Sequence, residues 1–247
     1  MSGLIASLGV GRGDVVAVAG AGGKTTLVYR LAAEAREAGL AVLVTTTTHM
    51  GTLPEAMTGP VFVEAEGDPG PLLDEALRRE GRATLLGRRL RPDKLEGISP
   101  ERVDELSRRA ELVLVEADGA RGRSLKVPAS HEPVVPRSTT LFVVVVALDV
   151  LGHPLTEERV NRLELVAEAT GRAVGETVDE EALVSALLLP TGYPARVPPG
   201  RRTAAFLNKV EDERAWAAAE RIAPRLLPTY GLVAAGSARS GGVRVWA

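Results

Sequence analysis

The sequence predicts an α/β fold, a mostly parallel sheet with helices on both faces. Three observations lead there. Apolar runs such as Asp14–Ala19, Glu111–Glu116 and Thr139–Leu148 lack polar alternation, as in strands buried on both faces. Runs of amphipathic, helix-forming sequence alternate with them. Glycine-rich and polar motifs follow the strands directly, and such sheets bind ligands at the carboxyl ends of their strands.

Taken in order, Asp14–Ala19 is the first strand. Lys24–Ala38 is the first helix, with Gly39 as its C-terminal stop. Ala41–Thr46 is a second strand. Residues 54–60 read as loop, Val61–Glu64 as a short extended segment, Pro71–Glu80 as helix and Arg82–Arg89 as a hairpin-like stretch. Ser99-Pro100 starts a helix that runs to about Arg109, with serine as N-cap and proline at the first helical position. Strands follow at Glu111–Glu116 and Thr139–Leu148, then helices at Glu157–Thr170 and Asp179–Leu188. Thr203–Leu207 is a strand, Glu211–Leu226 a helix, and Tyr230–Ala235 and Val243–Trp246 the last strands. Residues 1–247 are expected to form a single domain, with 50–98 irregular enough to be an insertion or flap.

Hydrophobic residues make up 45% of the 247 and aromatics only 3%, so the core must be built from Val, Leu and Ala. A net charge of −2 argues against nucleic acid or an anionic membrane as partner. With no run long enough to span a bilayer and no secretory signal, the expected location is cytoplasmic. The absence of cysteine excludes disulfides, thiolate metal sites and a thiol carrying sulfur or selenium; three histidines make a zinc site a poor expectation. Lysine occurs at only four positions, 24, 94, 126 and 209, where a compact ammonium fits better than a guanidinium fork.

The strongest motif is VVAVAGAGGKTT, Val15–Thr26: strand, glycine-rich loop, helix. This is the layout of a phosphate-binding P-loop, in which backbone N–H groups and a helix N-terminus face an anion and a lysine adds charge. Val18 stands where the usual pattern has its first glycine; Gly20, Ala21, Gly22, Gly23, Lys24, Thr25 and Thr26 remain as the nucleotide-binding set. Glu116 and Asp118 follow a buried strand. Either can hold Mg²⁺ beside Thr25 while the other orients a water, which makes Lys24, Glu116 and Asp118 the catalytic candidates. The run Thr45–Thr48 ends the second strand, with Thr47 and Thr48 as further phosphate or Mg²⁺ contacts and His49 a weaker one.

Asn208-Lys209-Val210-Glu211 resembles the guanine-reading N-K-x-D motif, with Glu for Asp, and Ser237-Ala238-Arg239 resembles the loop that backs the base. These favour GTP over ATP; an acid-rich helix start is the plainer reading. The polar, proline-rich stretch 119–138 suits a switch or substrate lid. Its Arg121, Arg123, Lys126 and His131 either meet an anionic partner or are solvated surface charge.

The segments GAGGKTT, TTTTHM, VEADGARGRSLKVPASHEPVVP, ALDVLGHPLTEERV and LNKVED together resemble the YqeC family. The resemblance covers most of the chain and implies a cytoplasmic P-loop NTPase-like protein. It also implies a role in selenium cofactor biosynthesis or as an accessory to selenium-dependent molybdenum hydroxylases, with such an enzyme or its cofactor as partner. The expected function is Mg²⁺-dependent nucleoside triphosphate hydrolysis. A small-molecule kinase or ligase and a non-catalytic nucleotide-binding scaffold are the alternatives. A homodimer is expected by analogy with other P-loop accessory proteins.

Overall fold

The computed structural model describes residues 3–51 and 55–247. Nine strands form the main sheet: β1 (Asp14–Gly20), β2 (Val42–Thr46), β3 (Val61–Val63), β4 (Arg82–Leu86), β5 (Leu112–Glu116), β6 (Leu141–Ala147), β7 (Arg202–Asn208), β8 (Val233–Ser237) and β9 (Gly241–Trp246). Their spatial order is β9-β8-β7-β6-β1-β5-β2-β4-β3, and every pairing is parallel except the last strand's antiparallel addition to β8. The predicted parallel α/β architecture is what the chain adopts.

β1 shows how the two faces are filled. Val16 and Val18 point into one cluster with Leu27, Val28 and Leu31 of helix α1 (Lys24–Glu37). Ala17 and Ala19 point the other way, against helices that include α5 (Glu180–Leu188) and α6 (Glu213–Tyr230). Helices α2 (Gly70–Glu80) and α3 (Pro100–Leu106) cover β2, β4 and β5, through Leu73, Leu77, Val103 and Leu106. The Ser99 hydroxyl accepts from Arg102 N, as its N-cap role requires.

Several elements differ from expectation. Arg82–Arg89 is not a hairpin: β4 joins the main sheet in parallel with β2, and the chain leaves it at Gly87. Arg88–Arg91 then pairs antiparallel with Lys94–Glu96, which pairs with His49–Gly51, in a separate three-stranded sheet. The stretch 50–98 therefore divides. Residues 61–86 contribute two main-sheet strands and α2, and only the small sheet lies outside the main one, a flap packed on it through Leu95 against Val63 and Leu86. The loop expected over 54–60 begins outside the described residues and contains a helical turn, Glu55–Thr58.

The helix expected from Glu157 starts only at Leu163 (α4, Leu163–Thr170), because Val160–Asn161 is drawn into a short parallel pairing with Leu125–Lys126. α6 continues past Pro224 and Pro228 to Tyr230, which was expected in a strand. The buried Tyr230 hydroxyl donates to Leu187 O at 2.6 Å and anchors that final turn. Among the described residues, no helix is long and apolar enough to cross a membrane.

Candidate functional site

Strand register assembles the site. Val18 of β1 and Thr46 of β2 both lie opposite Glu116 of β5, so that carboxylate ends its strand between them, beside the loop that leaves β1. The loop turns tightly against its neighbours. Gly22 has φ +82° and a Cβ there would collide with Ala147; Gly23 has φ +118° and a Cβ would strike the Asn208 amide. Only glycine takes this left-handed backbone with so little room.

Gly22 to Thr26 line a cleft of about 1160 Å³ together with Glu116, the flap and residues 119–123. Gly20 and Ala21 sit behind it, with the Ala21 amide donating to Val145 O at 2.8 Å. Those two residues, also expected as nucleotide contacts, form the strand-to-loop junction and are not among the residues lining the cleft. Lys24 is buried and donates to Gly20 O at 2.8 Å, with its ammonium 3.3 Å from Asp118 and 3.7 Å from Glu116. The Thr25 hydroxyl donates to Glu116 Oε2 at 2.7 Å. Burial pushes the Glu116 carboxyl above the ordinary carboxylate range, against the opposing pull of Lys24 and Thr25.

Asp118 is placed differently. It is fully enclosed and accepts from Gly20 N at 3.1 Å, Lys126 Nζ at 2.9 Å and the Tyr193 hydroxyl at 3.1 Å, with Lys24 close by. The structure thus separates two carboxylates that the sequence leaves interchangeable. Thr47 donates its hydroxyl to Val134 O at 2.7 Å, so its proton is engaged away from the cleft that Thr48 and His49 border.

Lys126 was expected either to meet an anionic partner or to be solvated surface charge. It is instead 1% exposed, bonded to Asp118, to Gly119 O at 2.6 Å and to Glu132 at 2.7 Å. Glu132 also meets Arg162 at 2.8 Å. Burial works to raise the Glu132 carboxyl, but hydrogen bonds from Lys126 and Arg162 outweigh it and hold the group below its ordinary value. Burial, reinforced by Asp118, pushes the Tyr193 hydroxyl well above its usual range. Sequence reasoning missed Tyr193, Glu132 and Arg162. The scarcity of lysine was the one signal pointing at Lys126.

The base-reading candidates form a second group. The Asn208 side chain donates to Gly22 O at 2.7 Å and accepts from Ala238 N at 2.9 Å, joining the P-loop to the loop after β8. Ser237 donates to Glu211 Oε1 at 2.9 Å. Lys209 adopts φ +58° and pairs with Asp149 at 2.7 Å. Lys209 and Glu211 border a separate hollow of about 870 Å³, beside α5 and α6. The two motif groups are therefore adjacent and linked through Asn208, and they line different cavities.

The sequence profile of a family described as YqeC protein matches residues 16–164. A protein of Escherichia coli (strain K12), described as uncharacterized protein YqeC, is 35% identical over 227 residues, covering 90% of this chain and 87% of that one. The chain belongs to the YqeC family. Among solved structures it is similar to FtsY from Mycoplasma mycoides (10% identity, TM-score 0.43, 95% of this chain). It spans 63% of that FtsY chain, less than two thirds of its length. It is also similar to the hydrogenase maturation factor HypB from Archaeoglobus fulgidus (14% identity, TM-score 0.40, 93% of this chain and 84% of that one). The YqeC profile includes the P-loop, Glu116, Asp118, Lys126, Glu132 and Arg162, and it stops short of Tyr193, Asn208 and Glu211.

Proposed function

We propose that this YqeC-family chain binds a nucleoside triphosphate with Mg²⁺ at Gly22–Thr26 and hydrolyses it. The observation that carries the reading is the 2.7 Å contact between Thr25 Oγ1 and Glu116 Oε2 at the first turn of α1, bordering the cleft. This is an all-oxygen donor pair of the kind Mg²⁺ takes, with phosphate oxygens and water completing the shell. Bound there, Mg²⁺ would neutralise charge developing on the transferred phosphate. Gly22–Thr26 amides and Lys24 would hold the β and γ phosphates. What supports Glu116 over Asp118 as the metal-side carboxylate is that the donors on Asp118 already enclose it. Asp118 then fixes Gly20 and Lys24 in place.

GTP is favoured over ATP. The support is Asn208 bridging the P-loop to Ala238 and Ser237 bonding Glu211, which join the N-K-x-acid and S-A-basic motifs to the P-loop although Glu211 faces the neighbouring hollow. The family resemblance supports a cytoplasmic role in maturing a molybdenum or selenium hydroxylase or its cofactor; a homodimer rests on analogy with other P-loop accessory proteins. A kinase or ligase reading is favoured by one feature, a cleft that continues past the P-loop to Arg121 and Arg123.

Calorimetry with Mg²⁺ and non-hydrolysable GTP and ATP analogues tests the proposal. Binding abolished by Lys24→Ala, with GTP preference lost in Glu211→Ala, is the expected result. Unchanged binding and turnover in Lys24→Ala would sink it. Tight binding without turnover would leave the scaffold role.

A further inference from the structure

We infer that the loop Gly119–Arg123 is a second oxyanion site, holding the phosphate group of a small phosphorylated ligand across the cleft from Gly22–Thr26. The inference deepens the nucleotide reading, since it takes the P-loop half of the cleft as the nucleotide's.

Peptide orientation is the first ground. Lys126 Nζ at 2.6 Å and Asn161 Nδ2 at 3.1 Å pull the Gly119 carbonyl inward. In a trans peptide the following N–H points the opposite way, so the Ala120 amide is turned away from that buried pair. The Ala120 carbonyl accepts from Arg123 N, which directs the Arg121 amide away from it in turn. The loop backbone also bends through left-handed conformations at Arg121, φ +50°, and Gly122, φ +74°. For a residue with a side chain that conformation is strained, and such strain persists where the surroundings hold it. Here the hold is Lys126, itself fixed by Asp118 and Glu132.

Charge is the second ground. Arg121 and Arg123 border the cleft on this loop, and neither has an ion-pair or hydrogen-bond partner for its guanidinium among the described residues. Lys94 reaches the same cleft from the flap, also without an ion pair. Of the acidic groups in the cleft, Glu132 is engaged by Lys126 and Arg162, Asp93 faces Arg91, and Glu116 belongs to the Gly22–Thr26 half. Guanidinium forks beside outward amides match phosphate geometry. Glu157 and Glu164 also border the cleft and disfavour a polyanion, so the fitting ligand carries one phosphate beside neutral or cationic groups.

Inorganic phosphate is the probe, titrated calorimetrically into the full chain alone and saturated with Mg²⁺ and a non-hydrolysable nucleotide. The inference expects phosphate to bind the nucleotide-saturated chain. It expects Arg121→Ala/Arg123→Ala to weaken that binding about tenfold or more and leave nucleotide affinity unchanged. Three outcomes overturn it: no phosphate binding by wild type, competition between phosphate and nucleotide for one site, or nucleotide affinity falling with the arginines. If wild type binds no nucleotide, the proposed function fails separately. Phosphate binding by the chain alone then decides: loss in Arg121→Ala/Arg123→Ala but not in Lys24→Ala upholds the second site, and the reverse pattern overturns it.

Discussion

Glu116 and Asp118 stand two residues apart at the end of β5 and live in opposite surroundings. Glu116 has one hydroxyl donor and a lysine at 3.7 Å, and its ionised form is disfavoured by burial. Asp118 is wrapped by a backbone amide, two lysines and a tyrosine hydroxyl. On the proposed reading Glu116, whose remaining lone pairs border the cleft, would take a cation, whereas Asp118, whose lone pairs are filled, is part of the frame. The difference is between a group held ready and a group that holds.

The comparison breaks most visibly at Asp118. Asp118→Ala takes one of its two carboxylates from the buried Lys126, leaving Glu132, and removes the nearer carboxylate from Lys24; breaking a buried ion pair costs about 3–5 kcal/mol, and urea unfolding should show a loss approaching that size. A wild-type midpoint would end the idea that Asp118 is structural. Glu116→Gln should behave oppositely, keeping or raising the unfolding midpoint while Mg²⁺-dependent nucleotide affinity drops about tenfold, or about 1.4 kcal/mol. Tyr193→Phe removes one donor to Asp118 and should cost about 1 kcal/mol in the same unfolding assay, with nucleotide affinity intact.

The smallest effect is in pH dependence, and it has two signs. Glu132 is held below its ordinary value of 4.5, so its contribution to stability is complete above that value and lost as pH falls through the depressed native one. Glu132→Gln should flatten the acid limb of a stability–pH curve. Glu116 is raised, so its ionisation lowers stability as pH rises through the elevated native value, and Glu116→Gln should remove that decline. Identical curves for the two variants would erase the contrast.

The frame was legible in sequence because its signals are local. Continuous apolar strands, the glycines of GAGGKTT and a serine–proline helix start each act within a few residues. The Lys126 cluster was not legible. Its members, from Asp118 to Tyr193, are up to 75 residues apart, and nothing in a polar, proline-rich loop says that Leu125, Lys126 and Val127 are buried. The late start of α4 has the same origin, since Val160–Asn161 obeys a partner at Leu125–Lys126 and not its own helical pattern. At the site, the tight glycine turn into α1 could be read from the sequence, but the different surroundings of Glu116 and Asp118 depend on Tyr193 and Lys126, which only packing brings together.

Asn208 carries a consequence of its own. One rigid amide joins Gly22 O to Ala238 N, so the glycine loop after β1 and the loop after β8 cannot drift apart independently. The side chain acts as a strut of fixed length, and any ligand that touches both ends is measured against it. A molecule too short to reach Ala238 gains nothing from that loop. One whose far end arrived at the correct span would be gauged for size by that strut.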